Sequence, residues 1–126
     1  MQVYVTDDFD EFMHKVGLSD RELFRAAQEV ANGLFDANLG GVLKKRIASK
    51  GISRRDANRT IIAFRQGERM FFIAGWRKSD IPKQGKEIPD SLLESYRLFG
   101  SSMLVATPEQ IAIDIQRGLL REVSND

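Results

Sequence analysis

The spacing of apolar positions along the chain changes several times, and each change predicts an element. Residues 2–6 (QVYVT) are β-branched and aromatic and predict a strand. Phe9, Phe12, Met13 and Val16 then recur at helical spacing. Asp8 and Glu11 are placed to cap that helix and Gly17 to stop it. Ser19 with Glu22 has the form of a capping box for a second helix. Its stripe is Leu23, Ala27, Val30 and Leu34, widened by Phe24 and Phe35, and Asn38, Gly40 and Gly41 break it.

From residue 42 the period drops to two. Residues 42–48 predict a strand with Lys44 and Arg46 on one face, followed by a loop over 49–57. Residues 58–66 predict a second strand: Arg59, Ile61, Ala63 and Arg65 face one way, and Thr60, Ile62 and Phe64 the other. Gln66, Gly67 and Glu68 make a tight turn, so residues 69–78 return antiparallel. Phe71, Phe72, Ile73 and Trp76 make both faces of that strand apolar, which predicts a central strand covered on both sides. After a polar connection over 83–89, Pro89 and Asp90 open a helix with Leu92, Leu93, Tyr96 and Phe99 inward. Gly100, Ser101 and Ser102 are expected to end or loosen it. Thr107, Pro108 and Gln110 mark the start of a further helix that carries Ile111 and Ile115 and stops near Gly118, and residues 119–123 predict a short edge strand.

Charge alters this picture in one place. Residues 44–78 hold eleven basic and two acidic side chains, +9, against −8 for the remainder, although the whole chain is only +1. A positive charge gathered on one sheet suits a polyanion. The 126 residues are enough for a single domain, 1–126, with a sizeable core, and 42% apolar residues fits a soluble globular chain. There is no Cys and a single His, which excludes a disulfide framework and argues against a zinc site. The acidic N-terminus is unlike a signal peptide, no run is long enough to span a bilayer, and the expected location is the cytoplasm.

Two segments, GLFDANLGGVLKKRIA and NRTIIAFRQGERMFFIAGWRKSDI, resemble the RelE/HigB-type toxins of bacterial type II toxin–antitoxin systems, and the HigB-like subgroup in particular. The resemblance spans residues 34–81, and the order of elements fits across most of the chain. It implies an α+β, RelE-like toxin fold: a small twisted, mainly antiparallel sheet, two N-terminal helices packed on it, and additional C-terminal helices. It also implies a metal-independent, ribosome-dependent mRNA endoribonuclease (an mRNA interferase) that inhibits translation, needs no cofactor and is neutralised by a cognate antitoxin. Such antitoxins often carry a DNA-binding helix-turn-helix. Carried over by position, the family's basic residues fall on Lys44, Lys45, Arg46, Arg59, Arg65 and Lys78. The chain departs from the subgroup at GISRRDANRT, where paired glycines and an aromatic are replaced and Arg54 and Arg55 are gained, and at Lys78-Ser79, where Arg77 is added before the lysine.

RNA brings its own nucleophile, the 2′-hydroxyl. The protein must remove that proton, stabilise the phosphorane charge and protonate the 5′-oxygen. Guanidinium groups fixed beside the phosphate supply the electrostatic part. The expected catalytic set is therefore Arg59, Lys78, Lys45 and Lys44, with Arg59 first, and Lys44 or Lys45 as a base if neighbouring cations lower its pKa. Arg46, Arg54, Arg55, Arg65, Arg77 and Trp76 are the expected RNA-binding residues. Trp76 stands equally as a stacking platform or as core. His14, on the first helix, reads as a surface or packing residue, and Asp7, Asp8, Asp10 and Glu11 as a solvated helix start rather than metal ligands. Two other functions fit the same residues: a non-nuclease toxin of this fold acting on DNA gyrase, as ParE-type toxins do, and a catalytically inactive nucleic-acid-binding module. The expected partners are the antitoxin, the ribosome and mRNA, with no membrane.

Overall fold

A computed structural model describes residues 1–49, 57–65, 69–81 and 86–125. The elements run β1 (Gln2–Thr6), α1 (Asp7–Val16), α2 (Asp20–Ala31), β2 (Ala37–Asn38), β3 (Leu43–Ile47), β4 (Asn58–Phe64), β5 (Arg69–Trp76), a 3-10 turn (Lys78–Asp80), α3 (Asp90–Leu104), α4 (Pro108–Gln116) and β6 (Leu120–Val123). The strands form one sheet in the order β2-β3-β4-β5-β1-β6. Neighbours pair antiparallel except β1 with β5, which is parallel. This is the α+β, mainly antiparallel architecture expected from the sequence, with β5 central and β6 at an edge.

Two apolar layers hold the sheet between them. On one face Phe9, Phe12, Leu23, Ala27 and Val30 of α1 and α2 pack on Val3, Val5, Ile62, Met70 and Phe72. On the other, Leu93, Tyr96 and Met103 of α3 and Ile111 of α4 pack on Tyr4, Ile61, Ala63, Phe71 and Ile73. Full burial of each large side chain here contributes about 1.5–3 kcal/mol. The C-terminal helices are thus a cover for the second sheet face, which explains why β4 and β5 are apolar on both sides.

Local chemistry sets the element ends. The cap of α1 is Thr6, two residues before the expected Asp8. Its hydroxyl accepts from the Phe9 amide at 3.1 Å and donates to the Ile73 carbonyl at 2.8 Å, tying the start of the helix to β5. Gly17 ends α1 in the left-handed region, at φ 71°. The Ser19–Glu22 and Thr107–Gln110 capping boxes form as their sequences require. The second helix stops at Ala31, short of the expected stripe, leaving Leu34 and Phe35 outside it and exposed. The sheet edge takes over there, since the Asp36 amide donates to the Lys44 carbonyl at 2.8 Å and its carboxylate accepts from the Arg46 amide at 2.7 Å.

Two glycines are fixed by close approach. Gly100 does not end α3, which continues to Leu104. A Cβ at Gly100 would lie 3.1 Å from Ala63 Cβ and 3.3 Å from Val42 Cγ1, so the glycine lets the helix settle onto the sheet. At Gly75 a Cβ would lie 2.6 Å from a Phe12 ring carbon.

Arg121 of β6 fastens the edge strand to both N-terminal helices. Its guanidinium donates to the Asp10 carboxylate at 2.8 and 3.1 Å and to the Asp20 carboxylate at 2.8 and 3.0 Å. The hydrogen bonds from Arg121 hold the Asp20 carboxyl below its usual range and raise the guanidinium further above neutrality.

Gly75→Ala is expected to lower stability by about 1–3 kcal/mol through overpacking against Phe12, read as a lower urea midpoint with unchanged slope. The Asp20 carboxyl is depressed in the folded state, so its contribution is complete above the unfolded value of about 3.9 and is lost as pH falls through the lower folded value. Asp20→Asn therefore unfolds at lower urea than the parent at pH 7, and the gap closes as pH falls through the lower folded value. A gap that persists in acid would show that the Arg121–Asp20 pair is not its source.

Candidate nucleic-acid interface

Strand register decides which basic side chains meet. Directly opposed residues share a face, and the β3–β4 pairing sets Lys44 against Ile61 and Arg46 against Arg59. The β4–β5 pairing sets Arg59 against Trp76. Ile61 and Trp76 both belong to the layer under α3, so Lys44, Arg46, Arg59 and Trp76 lie on that face, toward the end where β3 leaves the sheet and β4 enters it. The face is the product of a bulge. Between Ile61 and Ile62 the register on β5 moves from Ala74 to Phe72, and the extra residue is Ile73. Ile73 and Ala74 therefore both pack on the α3 side, and the alternation beyond them is reversed. Without that bulge Trp76 would share the face of Phe72, on the other side from Arg59.

Each member of the group has its own environment. The Lys44 ammonium lies 3.4 Å from Oε1 of Glu87, which precedes α3, and both side chains are about 28–29% exposed. Arg46 is the most open at 48%, with its Nε 3.4 Å from the Asp36 carboxylate. Arg59 is buried, at 9% exposure, and its guanidinium donates to the Ala57 carbonyl. It therefore stands behind the surface rather than on it. Trp76 is half-buried, and its indole Nε1 has no hydrogen-bond partner among the described residues.

The remaining sequence candidates lie elsewhere. Lys45 points to the α2 face: its ammonium donates to the Leu34 carbonyl at 2.8 Å and lies 3.3 Å from the Glu29 carboxylate, with 11% of the side chain exposed. Its position on β3 alternates with Lys44 and Arg46, so one strand cannot bring all three to the same surface. Arg77 reaches the α1 side, where it donates to the Lys15 carbonyl at 3.2 Å. Lys78 opens the 3-10 turn beyond β5, so strand alternation no longer places it with Trp76. Arg65 lies just past the far end of β4 and is exposed. Arg54 and Arg55, with the turn at 66–68, lie outside the described residues. His14 is on the surface, its Nδ1 2.8 Å from the Asp10 carbonyl.

Glu87 is the residue that sequence reading passed over. It lies in a polar connection more than forty positions from Lys44, with no periodicity or motif to mark it. Only the packing of α3 over the sheet brings the two together. Among the described residues no three His, Asp or Glu side chains converge as a metal site, and no helix is long and apolar enough to cross a membrane.

A cationic face beside a half-buried indole can hold a phosphodiester and stack a base. No curated protein matches the chain in sequence. A family model does, over residues 1–123: that of the RelE toxin of the RelE/RelB toxin–antitoxin system. With nearly the whole length matched and an α+β sheet of the expected kind, the chain belongs to the RelE toxin family.

Proposed function

We propose that this single-domain protein is a cytoplasmic, HigB-like mRNA endoribonuclease that cuts translating messages on the ribosome without a metal ion and is held inactive by a cognate antitoxin. The observation that carries the reading is the shared face of Lys44, Arg46, Arg59 and Trp76, all set by register at one end of the sheet. Family membership supplies the toxin role and the antitoxin partner.

In this reading the 2′-hydroxyl loses its proton to water and its oxygen attacks phosphorus, the bond from phosphorus to the 5′-oxygen breaks, that oxygen takes up a proton from water, and a 2′,3′-cyclic phosphate and a 5′-hydroxyl are left. Negative charge builds on the phosphorane oxygens, where Arg46 is the accessible guanidinium and Lys44 the neighbouring ammonium. Arg59, behind them, adds positive potential and holds the chain at Ala57. Trp76 offers its ring to a flanking base.

The burial of Arg59 favours a second reading. A same-fold toxin that binds without cutting, on gyrase or on nucleic acid, needs no accessible guanidinium at that position.

Purified protein added to a translating system is expected to cleave mRNA and leave 2′,3′-cyclic or 3′-phosphate ends. Intact transcripts, with supercoiling by gyrase inhibited instead, would replace this function with the second reading. Arg46→Ala is expected to lower the cleavage rate by about 10²–10³-fold, the cost of losing one well-placed donor. Lys45→Met is expected to act on the fold, costing about 1–2 kcal/mol from its lost bond to Leu34. A loss of cleavage larger than the loss of folded protein would return Lys45 to the site.

A further inference from the structure

We infer that Glu87 is a positioning residue for Lys44: its carboxylate holds the ammonium over the cationic face and yields to the RNA phosphate. The inference rests on the nuclease reading above and adds a residue to it.

Among the described residues two carboxylates, Asp36 and Glu87, pair with cations of this face, and the fold uses them differently. Asp36 accepts a hydrogen bond from the Arg46 amide at 2.7 Å, so it is part of the sheet edge as well as a counter-ion. Glu87 has no such second task among the described residues. Its Oε1 is buried, has no hydrogen-bond partner among the described residues, and lies 3.4 Å from the Lys44 ammonium. The pair attracts, but its geometry is too poor for a hydrogen bond. A buried carboxylate oxygen without a hydrogen bond is costly, and its retention beside one ammonium needs a reason.

Lysine is a compact charge on a flexible four-carbon stem. On β3 alone Lys44 could sweep widely over the surface. A carboxylate delivered by the segment before α3 restricts it to the side of Ile61, about 7 Å along the strand from Arg46. That spacing is nearer the separation of successive phosphates along a nucleotide strand than that of two oxygens on one phosphate. The same carboxylate repels phosphate, so it opposes binding while it aligns the ammonium. A residue with these two effects separates affinity from rate.

The test compares the full-length parent, Glu87→Gln, Lys44→Met and the double variant. Cleavage of ribosome-bound mRNA gives kcat and KM. Binding of a 2′-O-methyl RNA oligomer, which has no free nucleophile, gives Kd. Glu87→Gln is expected to lower KM and Kd by about 2–5-fold, as for release of a partly exposed ion pair. It is expected to lower kcat by about tenfold, since the ammonium is no longer held. Its urea midpoint should stay near that of the parent, because Glu87 Oε1 bonds no backbone group. In the Lys44→Met background both effects should vanish.

Unchanged kcat and KM for Glu87→Gln, or effects that survive without Lys44, would overturn the inference and leave the nuclease reading intact. A drop in kcat that only tracks loss of folded protein would do the same. A parent that fails to cleave overturns both together.

Discussion

The structure depends on burying the β4–β5 pair from both sides. Ile62, Met70 and Phe72 need the N-terminal helices, and Ile61, Ala63, Phe71 and Ile73 need α3 and α4. Backbone groups in these strands are satisfied by their neighbours, so the requirement left over is apolar cover. Once both faces are covered, charged side chains have room only where the cover ends. Lys44, Arg46 and Arg59 collect at that end because the middle of the sheet cannot hold them. The same constraint explains Arg59, which sits at the margin of the covered region and satisfies its guanidinium on a backbone carbonyl.

One extra residue in β5 then decides what the margin contains. The bulge at Ile73 keeps both Ile73 and Ala74 under α3 and turns Gly75 toward α1. Phe9 and Phe12 fill the space that a side chain at Gly75 would occupy. Trp76 is turned to the opposite side, next to Arg59. A packing requirement on one face therefore fixes the composition of the candidate site on the other, through a shift of one residue.

Counter-charges divide the cations into two kinds. Lys45 is fixed between α2 and the segment after it, and the Arg121 fork ties β6 to α1 and α2. These groups hold elements together, and their charges are committed to named partners. Lys44 and Arg46 are paired more loosely, each 3.4 Å from its carboxylate, on the face that has room for an anion. Net charge over residues 44–78 joins both kinds in one figure, so its +9 overstates the charge available at any one surface.

The sequence by itself determined the main helices and strands, their order and the fold class, but not the short strand β2 or the 3-10 turn after β5. Apolar spacing, capping pairs such as Ser19 with Glu22, and breaker glycines are local signals, and local backbone chemistry answers to them. It also determined that Lys44 and Arg46 share a face, since alternation along a strand is a property of the chain. It misjudged the first helix cap, the end of α2 and the role of Gly100, because each is settled by a partner distant in sequence: Ile73 for Thr6, Lys44 and Arg46 for Asp36, Ala63 and Val42 for Gly100. Tertiary structure alone decided that Arg77 leaves the face, that Arg59 is covered, that Trp76 joins it through a bulge, and that Glu87 reaches Lys44. Those facts depend on register, bulges and layer packing, which are fixed by contacts between residues tens of positions apart and leave no periodic trace in either segment.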